Sequence, residues 1–220
     1  MWLLASRGRP QSVKRFISYY IETKSSTPVY LRLDNCDPMI DEYDNIEVPK
    51  QFIKVISDRA RLGAAMQEIF RVYPNEPWYG LLADDIVPRT FNWDTKLIKA
   101  AGNNRISQAN DLTKKPRNYC HPCIGGDLVR KAGFFGFPHT THYCLEVIWK
   151  ELTKRDKRFG RYLDDVIVEN MHPDFNKSKI DNTYQEAMSV KERDHEIWEH
   201  WKNQNFENFY QEVKSVLDND

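Results

Sequence analysis

The first ninety residues alternate between short apolar runs and longer stripes of apolar residues at helical spacing. Four runs have the length and composition of β-strands, at residues 2–5, 29–33, 52–56 and 78–83. Between them, residues 10–20 and 62–73 repeat apolar side chains three and four positions apart, as one face of a helix does. This alternation predicts an α/β fold with a mixed, mostly parallel sheet flanked by helices.

A polar residue lies at or near the end of each of these runs, namely Ser6, Asp34, Asp58 and Asp84. In open α/β sheets, ligands bind beyond the carboxyl ends of the strands. The sequence therefore predicts a binding site where these four residues leave the sheet. Asp84 is followed directly by Asp85, and two adjacent carboxylates favour a cation between them.

A second apolar run, residues 166–171, ends at His172 and Pro173. Two carboxylates and an imidazole at strand ends are suitable ligands for Mn²⁺ or Mg²⁺, and the imidazole favours Mn²⁺. We therefore predict a divalent-metal site formed by Asp84, Asp85 and His172. The alternative is that the Asp-Asp pair only caps a turn, which is a common role for aspartate.

The composition excludes several classes of protein. The 32 basic and 32 acidic residues cancel, so no overall field draws the chain to nucleic acid or to an anionic membrane. Neither a signal-peptide core nor a membrane span is recognisable, and we expect a cytoplasmic protein with reduced cysteines. The motifs GxGxxG, GxxxxGK[ST] and GxSxG are missing, which argues against dinucleotide-binding, P-loop and hydrolase proteins.

In the second half of the sequence, the pattern predicts fewer helices and strands. Helices are expected at residues 91–101 and 142–153, and a final amphipathic helix near the C-terminus. Cys120-His121-Pro122-Cys123 has a zinc-like spacing without a second ligand pair, and a turn with buried thiols is the favoured interpretation.

These pieces, in this order, resemble the GT-A glycosyltransferase superfamily, in particular the short inverting enzymes of bacteriophage and bacterial genomes. The resemblance covers roughly residues 1–180 and implies a Rossmann-like domain with a nucleotide-binding half, 1–90, and an acceptor half, 91–180. Residues 181–220 would be a C-terminal helical extension. The segments that carry it are Leu4 to Pro10, Asp34, Asp58 to Gly63, Ala83-Asp84-Asp85, Gly125-Gly126-Asp127 and Val166 to Pro173.

The resemblance implies a role for each matching position. The donor nucleotide, a UDP-sugar in many members, would be held by residues of the first loop and the following strand ends, namely Ser6, Arg7, Arg9, Asp34, Arg59, Arg61 and Asp84. Asp84 and Asp85 match the DXD element, although Ala83 replaces its first acid here. Asp85 is then the metal ligand, Asp84 a second ligand or a ribose contact, and His172 completes the metal site.

Glu146 lies where the family carries its catalytic base, with Asp164 and Asp165 as alternatives. A single base without a nearby nucleophile predicts direct displacement, which inverts the anomeric carbon.

The sequence leaves two classes of acceptor open. A 5-hydroxymethylpyrimidine in phage DNA is suggested by basic residues of the acceptor half, Lys114, Lys115, Arg117, Arg130 and Lys131. Rings such as Phe134, Phe135 or Tyr143 could then stack on a flipped base. The other class is a glycan, on a surface polysaccharide or a lipid carrier.

Two other kinds of protein fit part of the pattern. In a non-catalytic nucleotide-sugar or glycan-binding module, Ala83 would mark a decayed site. A nucleotidyltransferase also uses a Gly-Arg loop after the first strand and paired acids, although its loop is normally richer in glycine.

Overall fold

The structure of the protein is a computed structural model that describes residues 1–113, 120–175 and 177–218. Its eight strands are β1 (Trp2–Ser6), β2 (Val29–Asp34), β3 (Phe52–Ser57), β4 (Trp78–Ala83), β5 (Ile86–Pro88), β6 (Ile106–Asn110), β7 (Cys123–Gly125) and β8 (Gly160–Asn170). Its α-helices are α1 (Pro10–Glu22), α2 (Ile40–Asp44), α3 (Leu62–Val72), α4 (Trp93–Ala101), α5 (Gly126–Ala132), α6 (Val147–Arg155), α7 (Asn182–Met188) and α8 (Lys191–Val213).

The strands form one mixed sheet in the order β3-β2-β1-β4-β7-β6-β8-β5. The first four are parallel, whereas β7 runs antiparallel between β4 and β6, and β5 runs antiparallel to β8. The predicted α/β fold with a mostly parallel sheet and a C-terminal helix is therefore confirmed. Because β1, β2 and β4 are parallel neighbours, their carboxyl ends bring Ser6, Asp34 and Asp84 to the same edge.

The first half follows the predicted pattern closely. Pro10 is the first residue of α1, where its missing N–H costs nothing, and the predicted face of α1 is buried. One difference concerns β2, which alternates like a half-buried strand but is buried along its whole length. It is buried because it lies inside the sheet, between β1 and β3, and because helices cover its faces, as α3 does where Tyr30 donates to Glu68 over 2.9 Å. Arg32 can lie inside because Leu33 O and Asp34 accept its N–H groups.

The predicted helix from His142 to Thr153 begins five residues later, at Val147, and ends at Arg155. The amides of residues 141–143 do not enter the helix because the carboxylate of Asp194, on α8, accepts them. Consequently Glu146 is the N-cap residue of α6 and does not lie within the helix.

Aromatic rings fill the core between the sheet and its helices. Trp2 packs against Trp78 and Trp93, with ring centroids 5.2 and 5.1 Å away. Phe135 and Phe137, from the glycine-aromatic loop, are fully buried. Within the described residues, no helix combines the length and apolar composition that crossing a membrane requires.

Candidate donor and metal site

A hydrogen-bonded network joins the ends of β1 and β4. Ser6 Oγ donates to Asp84 Oδ2 over 2.6 Å and lies 2.8 Å from the hydroxyl of Tyr43. The same tyrosine oxygen accepts the amide N–H of Arg9 at 2.7 Å. The loop between β1 and α1 is therefore fixed against Asp84, the first of the paired acids.

Arg9 is the cation closest to that acid. Its Nη1 lies 3.1 Å from Asp84 Oδ1, and its side chain is only 11% exposed. Its other two nitrogens bind both oxygens of Asp181 at 2.7 Å, and its guanidinium lies 3.8 Å from the ring centroid of Tyr184. Burial raises the pKa of Asp84 to about 6, with the charge of Arg9 opposing and that of Asp85 adding to the shift.

Tyr184 contacts both Asp85 and His172. Tyr184 donates its hydroxyl to Asp85 Oδ2 over 2.7 Å, and its ring meets the His172 ring edge-on at 4.8 Å. The backbone supports this arrangement, because Asp85 O accepts the N–H of Met171 at 2.7 Å. His172 Nδ1 accepts the N–H of Asp174 at 3.1 Å, which fixes the imidazole ring.

No three His, Cys, Asp or Glu side chains in the described part of the chain are placed as a ready-made metal cage. Asp85 and His172 nevertheless offer one carboxylate and one imidazole beside the same phenol. Mg²⁺ is commonly held by one or two carboxylates with substrate phosphates and water filling the other positions. The residues present therefore fit a metal that arrives with a diphosphate better than one held by the protein alone.

Asp34, at the end of β2, is bound from three sides. Its oxygens accept Nη1 of Arg7 at 3.1 Å, Nη1 of Arg32 and the amide N–H of Ala60 at 3.1 Å. The carboxylate thus places Arg7 at the rim of the site and holds the chain after β3. Arg32 was not predicted as a site residue, because a strand pattern alone assigns it to the exposed face.

Arg59 and Arg61 lie on the segment that leads into α3. Nη2 of Arg59 lies 2.5 Å from Glu186 Oε2, and Nη1 of Arg61 donates to Glu186 O at 3.4 Å. Both contacts reach α7, the helix that also supplies Tyr184 and is preceded by Asp181. The structure therefore connects α7, with Asp181 before it, to Arg9 as well as to Arg59 and Arg61.

Glu146 is part-buried, and burial raises its pKa from 4.5 to about 7. The charges that act on it are those of Lys150 and His195, on α6 and α8. Asp85 and His172 are not among the groups whose charge shifts its pKa. The alternatives Asp164 and Asp165 lie exposed on β8.

Replacing Glu146 with glutamine is expected to stabilise the protein at high pH. The folded protein retains a proton between pH 4.5 and about 7 that the unfolded chain releases, so the free energy of unfolding falls as pH rises through this window. Full burial would correspond to ~3 kcal/mol, and part exposure reduces the expected gain above pH 8 to about 1–2 kcal/mol. Urea unfolding of both proteins at pH 5 and pH 8.5 measures the gain, and an equal change in the free energy of unfolding at both pH values would contradict the prediction.

One buried acid near the site was not predicted. Asp111 follows β6, and its backbone oxygen accepts the N–H of Asn170 at 3.0 Å, beside the end of β8. Among the described residues its Oδ2 has no hydrogen-bond partner. His121 lies near it: burial lowers the pKa of His121, while Asp85 and Asp111 raise it. Asp111 is hard to predict from the sequence, because β6, the strand before it, carries the polar residues Ser107 and Gln108 and so lacks the apolar run that marks the other strands.

The residues predicted to contact a DNA acceptor lie in different environments. Lys114, Lys115 and Arg117 lie outside the described residues. Arg130 pairs with Asp127 on its own helix at 2.6 Å. Of the three rings proposed to stack on a base, Phe135 is buried and Phe134 stacks on Phe209, which leaves Tyr143.

Comparison with solved structures identifies the fold. Glucosyl-3-phosphoglycerate synthase from Mycobacterium tuberculosis, solved with Mn²⁺, uridine diphosphate and glucosyl-3-phosphoglycerate, aligns with a TM-score of 0.55 at 10% identity, over 86% of this chain and 75% of that chain. The catalytic domain of Drosophila β1,4-galactosyltransferase 7, solved with xylobiose, gives 0.50 at 7% identity, over 85% and 78%. The 4-diphosphocytidyl-2C-methyl-D-erythritol synthase of Anaerococcus prevotii gives 0.50 at 11%, over 81% and 88%.

No family model and no curated protein matches the sequence. At these identities the structural likeness shows the fold, which is GT-A-like as the resemblance implies. Nucleotide-sugar transferases and nucleotidyltransferases share this fold, so the activity depends on the site residues.

Proposed function

We propose that the protein is a metal-dependent glycosyltransferase that moves a sugar from a nucleoside diphosphate, UDP first among the candidates, to an acceptor hydroxyl. The observation that carries the proposal is the meeting of Arg9, Asp84, Asp85 and His172 at the carboxyl ends of β4 and β8. Cations, acids and an imidazole at one sheet edge suit a diphosphate and its metal.

The arginines would bind the diphosphate. Guanidinium groups bind phosphate oxygens in pairs, and Arg9 is already held in position by Asp84 and by the Tyr43 hydroxyl at its backbone. Arg59 and Arg61 are exposed enough to turn towards a second phosphate. Negative charge builds on the diphosphate as the sugar leaves, and fixed cations there lower the barrier.

Asp85 and His172 would hold Mn²⁺ or Mg²⁺, which when bound supplies Lewis-acid stabilisation of the leaving diphosphate. Asp84 would keep Arg9 oriented and could contact the ribose. Inversion by direct displacement needs a base that removes the proton of the acceptor hydroxyl. Glu146, with its pKa of about 7, has a suitable basicity, and Asp111 is the second candidate because its buried oxygen lacks a partner.

The acceptor divides the proposal into two cases, a hydroxymethylated base in DNA and a glycan hydroxyl. Duplex DNA binding falls steeply with salt because counterions are released, whereas a neutral glycan releases none. Measuring the binding of both at 50 and 200 mM salt distinguishes the cases.

Replacing Asp85 with alanine is expected to weaken Mn²⁺-dependent UDP binding by at least about 100-fold, or ~2.7 kcal/mol, because the carboxylate ligand is lost. Calorimetric titration of UDP with Mn²⁺, and then with EDTA, measures this. Asp41→Ala, an exposed acid on α2, serves as the matched control and should bind like the wild type.

UDP binding that survives both EDTA and the loss of Asp85 would refute the metal-dependent site. Pyrophosphate exchange with a nucleoside triphosphate would instead assign the protein to the nucleotidyltransferases, which share its fold.

A further inference from the structure

Residues 181–188, here called the strap, lie across the proposed donor site. The strap consists of Asp181 and α7, and it arrives from the segment that follows His172. Four of its side chains or backbone groups contact donor-site residues. These contacts are Asp181 with Arg9, the Thr183 hydroxyl with Arg7 O at 2.9 Å, Tyr184 with Asp85, and Glu186 with Arg59 and Arg61.

The contact with Arg9 has the geometry of an anion that binds two N–H groups. Both carboxylate oxygens of Asp181 lie 2.7 Å from Nε and Nη2 of Arg9. A phosphate group would use the same fork of donors. Because Asp84 already binds Nη1, a diphosphate can use the fork of Nε and Nη2 only after Asp181 leaves.

Tyr184 occupies the space beside the proposed metal ligands. Its hydroxyl donates to Asp85 Oδ2, its ring edge meets His172, and its ring face covers the guanidinium of Arg9. One oxygen of the carboxylate that would bind a cation therefore accepts a phenol proton. A metal approaching Asp85 from this side has to displace the phenol.

The strap is weakly attached apart from these polar contacts. Only Ala187 of α7 is buried, and Glu186 and Arg59 are each 46% exposed. Exposed ion pairs contribute little, and little apolar surface holds the helix down. Release of the strap therefore breaks mainly polar contacts, those of Asp181 and Tyr184 above all, and exposes little apolar surface.

We infer that the strap is an autoinhibitory segment whose carboxylates and phenol take the places of the donor diphosphate and its metal until the donor displaces them. This inference rests on the proposed function. It makes the resting protein a closed form, in which Asp181 and Glu186 neutralise the arginines that would otherwise attract any free polyphosphate.

The test uses the double variant Asp181→Asn and Glu186→Gln. Asparagine retains the N-cap acceptor that Asp181 Oδ1 offers to Tyr184 N, so α7 can still form while both charges are lost. Gln185→Ala, at an exposed position of the same helix, is the matched control. Calorimetry measures the dissociation constant for UDP with Mn²⁺, and amide hydrogen exchange follows residues 182–188.

The double variant is expected to bind UDP about tenfold more tightly than the wild type and Gln185→Ala, because the donor no longer competes with two charges. UDP should also reduce the amide protection of α7 in the wild type. Equal affinities with unchanged protection would overturn the inference and leave the proposed function standing. Weaker binding by the double variant would also overturn it, since the strap would then help to hold the donor. No UDP binding by either protein, with exchange showing an opened strap in the variant, would refute the proposed function and the inference with it.

Discussion

Replacing Asp194 with alanine is expected to lower the free energy of unfolding by about 3 kcal/mol, because three part-buried amide groups lose their charged acceptor. Asp194 is fully buried on α8, and its Oδ2 accepts the N–H groups of Thr141, His142 and Tyr143 at 3.1, 2.8 and 3.0 Å. Those three donors all belong to the loop before Glu146. Alanine removes the charged acceptor that all three share.

Urea unfolding measures the loss, and amide hydrogen exchange at residues 141–143 locates it. Glu192→Ala is the matched control, because Glu192 is an exposed acid in the same first turn of α8. Burial raises the pKa of Asp194, but the three amides outweigh this and hold it below its usual range. The stabilisation is therefore present above the carboxyl's unfolded pKa and is lost as pH falls through the folded one, so the two proteins should converge in acid. A variant as stable as the wild type, or unchanged exchange at these amides, would contradict the assignment.

The loop held by Asp194 lies beside the proposed site, because Thr141 O accepts the N–H of Gly63, two residues after Arg61, at 3.0 Å. Burial lowers the pKa of His142, and the nearby charges of Arg61 and Arg9 lower it further. The residues predicted as a C-terminal extension therefore act on the site in two ways: α8 fixes one of its walls, and the strap covers its arginines. Removing them should alter donor binding as well as stability.

The strand ends were predictable because the information is local. Each of β1 to β4 is a run of apolar residues followed by a polar one, and parallel neighbours bring those polar residues together wherever the pattern is read correctly. This local pattern alone predicted that Ser6, Asp84 and Asp85 lie at the ends of their strands. By contrast, β7 has three residues and β6 carries Ser107 and Gln108, so their pairing depends on tertiary contacts that no short window contains.

The sequence also could not predict that the strap covers the proposed site, and the reason is a different one. Asp181 lies 172 positions from Arg9, and α7 has too little apolar content to suggest where it docks. Polar contacts at such separation leave no periodic signal in the sequence. Glu146 illustrates an error of the local pattern: it was predicted within a helix, whereas it is the N-cap residue of α6, and only the structure shows that Lys150 and His195 are the charges around it. Its catalytic role stays a prediction.

Replacing Gly80 with valine is expected to lower the free energy of unfolding by more than about 3 kcal/mol, because a side chain there would overlap the ring of Trp2. A Cβ at Gly80 would lie 1.9 Å from Trp2 Cε3. Trp2 is fully buried and cannot move aside, since Trp78 and Trp93 pack against it. Thermal or urea unfolding measures the loss. Gly133→Ala is the control: its positive φ of 78° is strained for alanine, but nothing lies within 4 Å, and about 1 kcal/mol is expected.

This packing also sets the spacing of the proposed donor site. Trp2 pairs with Gly80 in the register between β1 and β4, and the same two strands end at Ser6 and next to Asp84. A side chain at position 80 that forces the strands apart should therefore lengthen the 2.6 Å hydrogen bond between Ser6 and Asp84. Gly80→Ala, the smallest such change, should lose UDP affinity as well as stability, whereas Gly133→Ala should keep its affinity. Unchanged UDP binding by a folded Gly80→Ala protein would show that the strand spacing does not control the site.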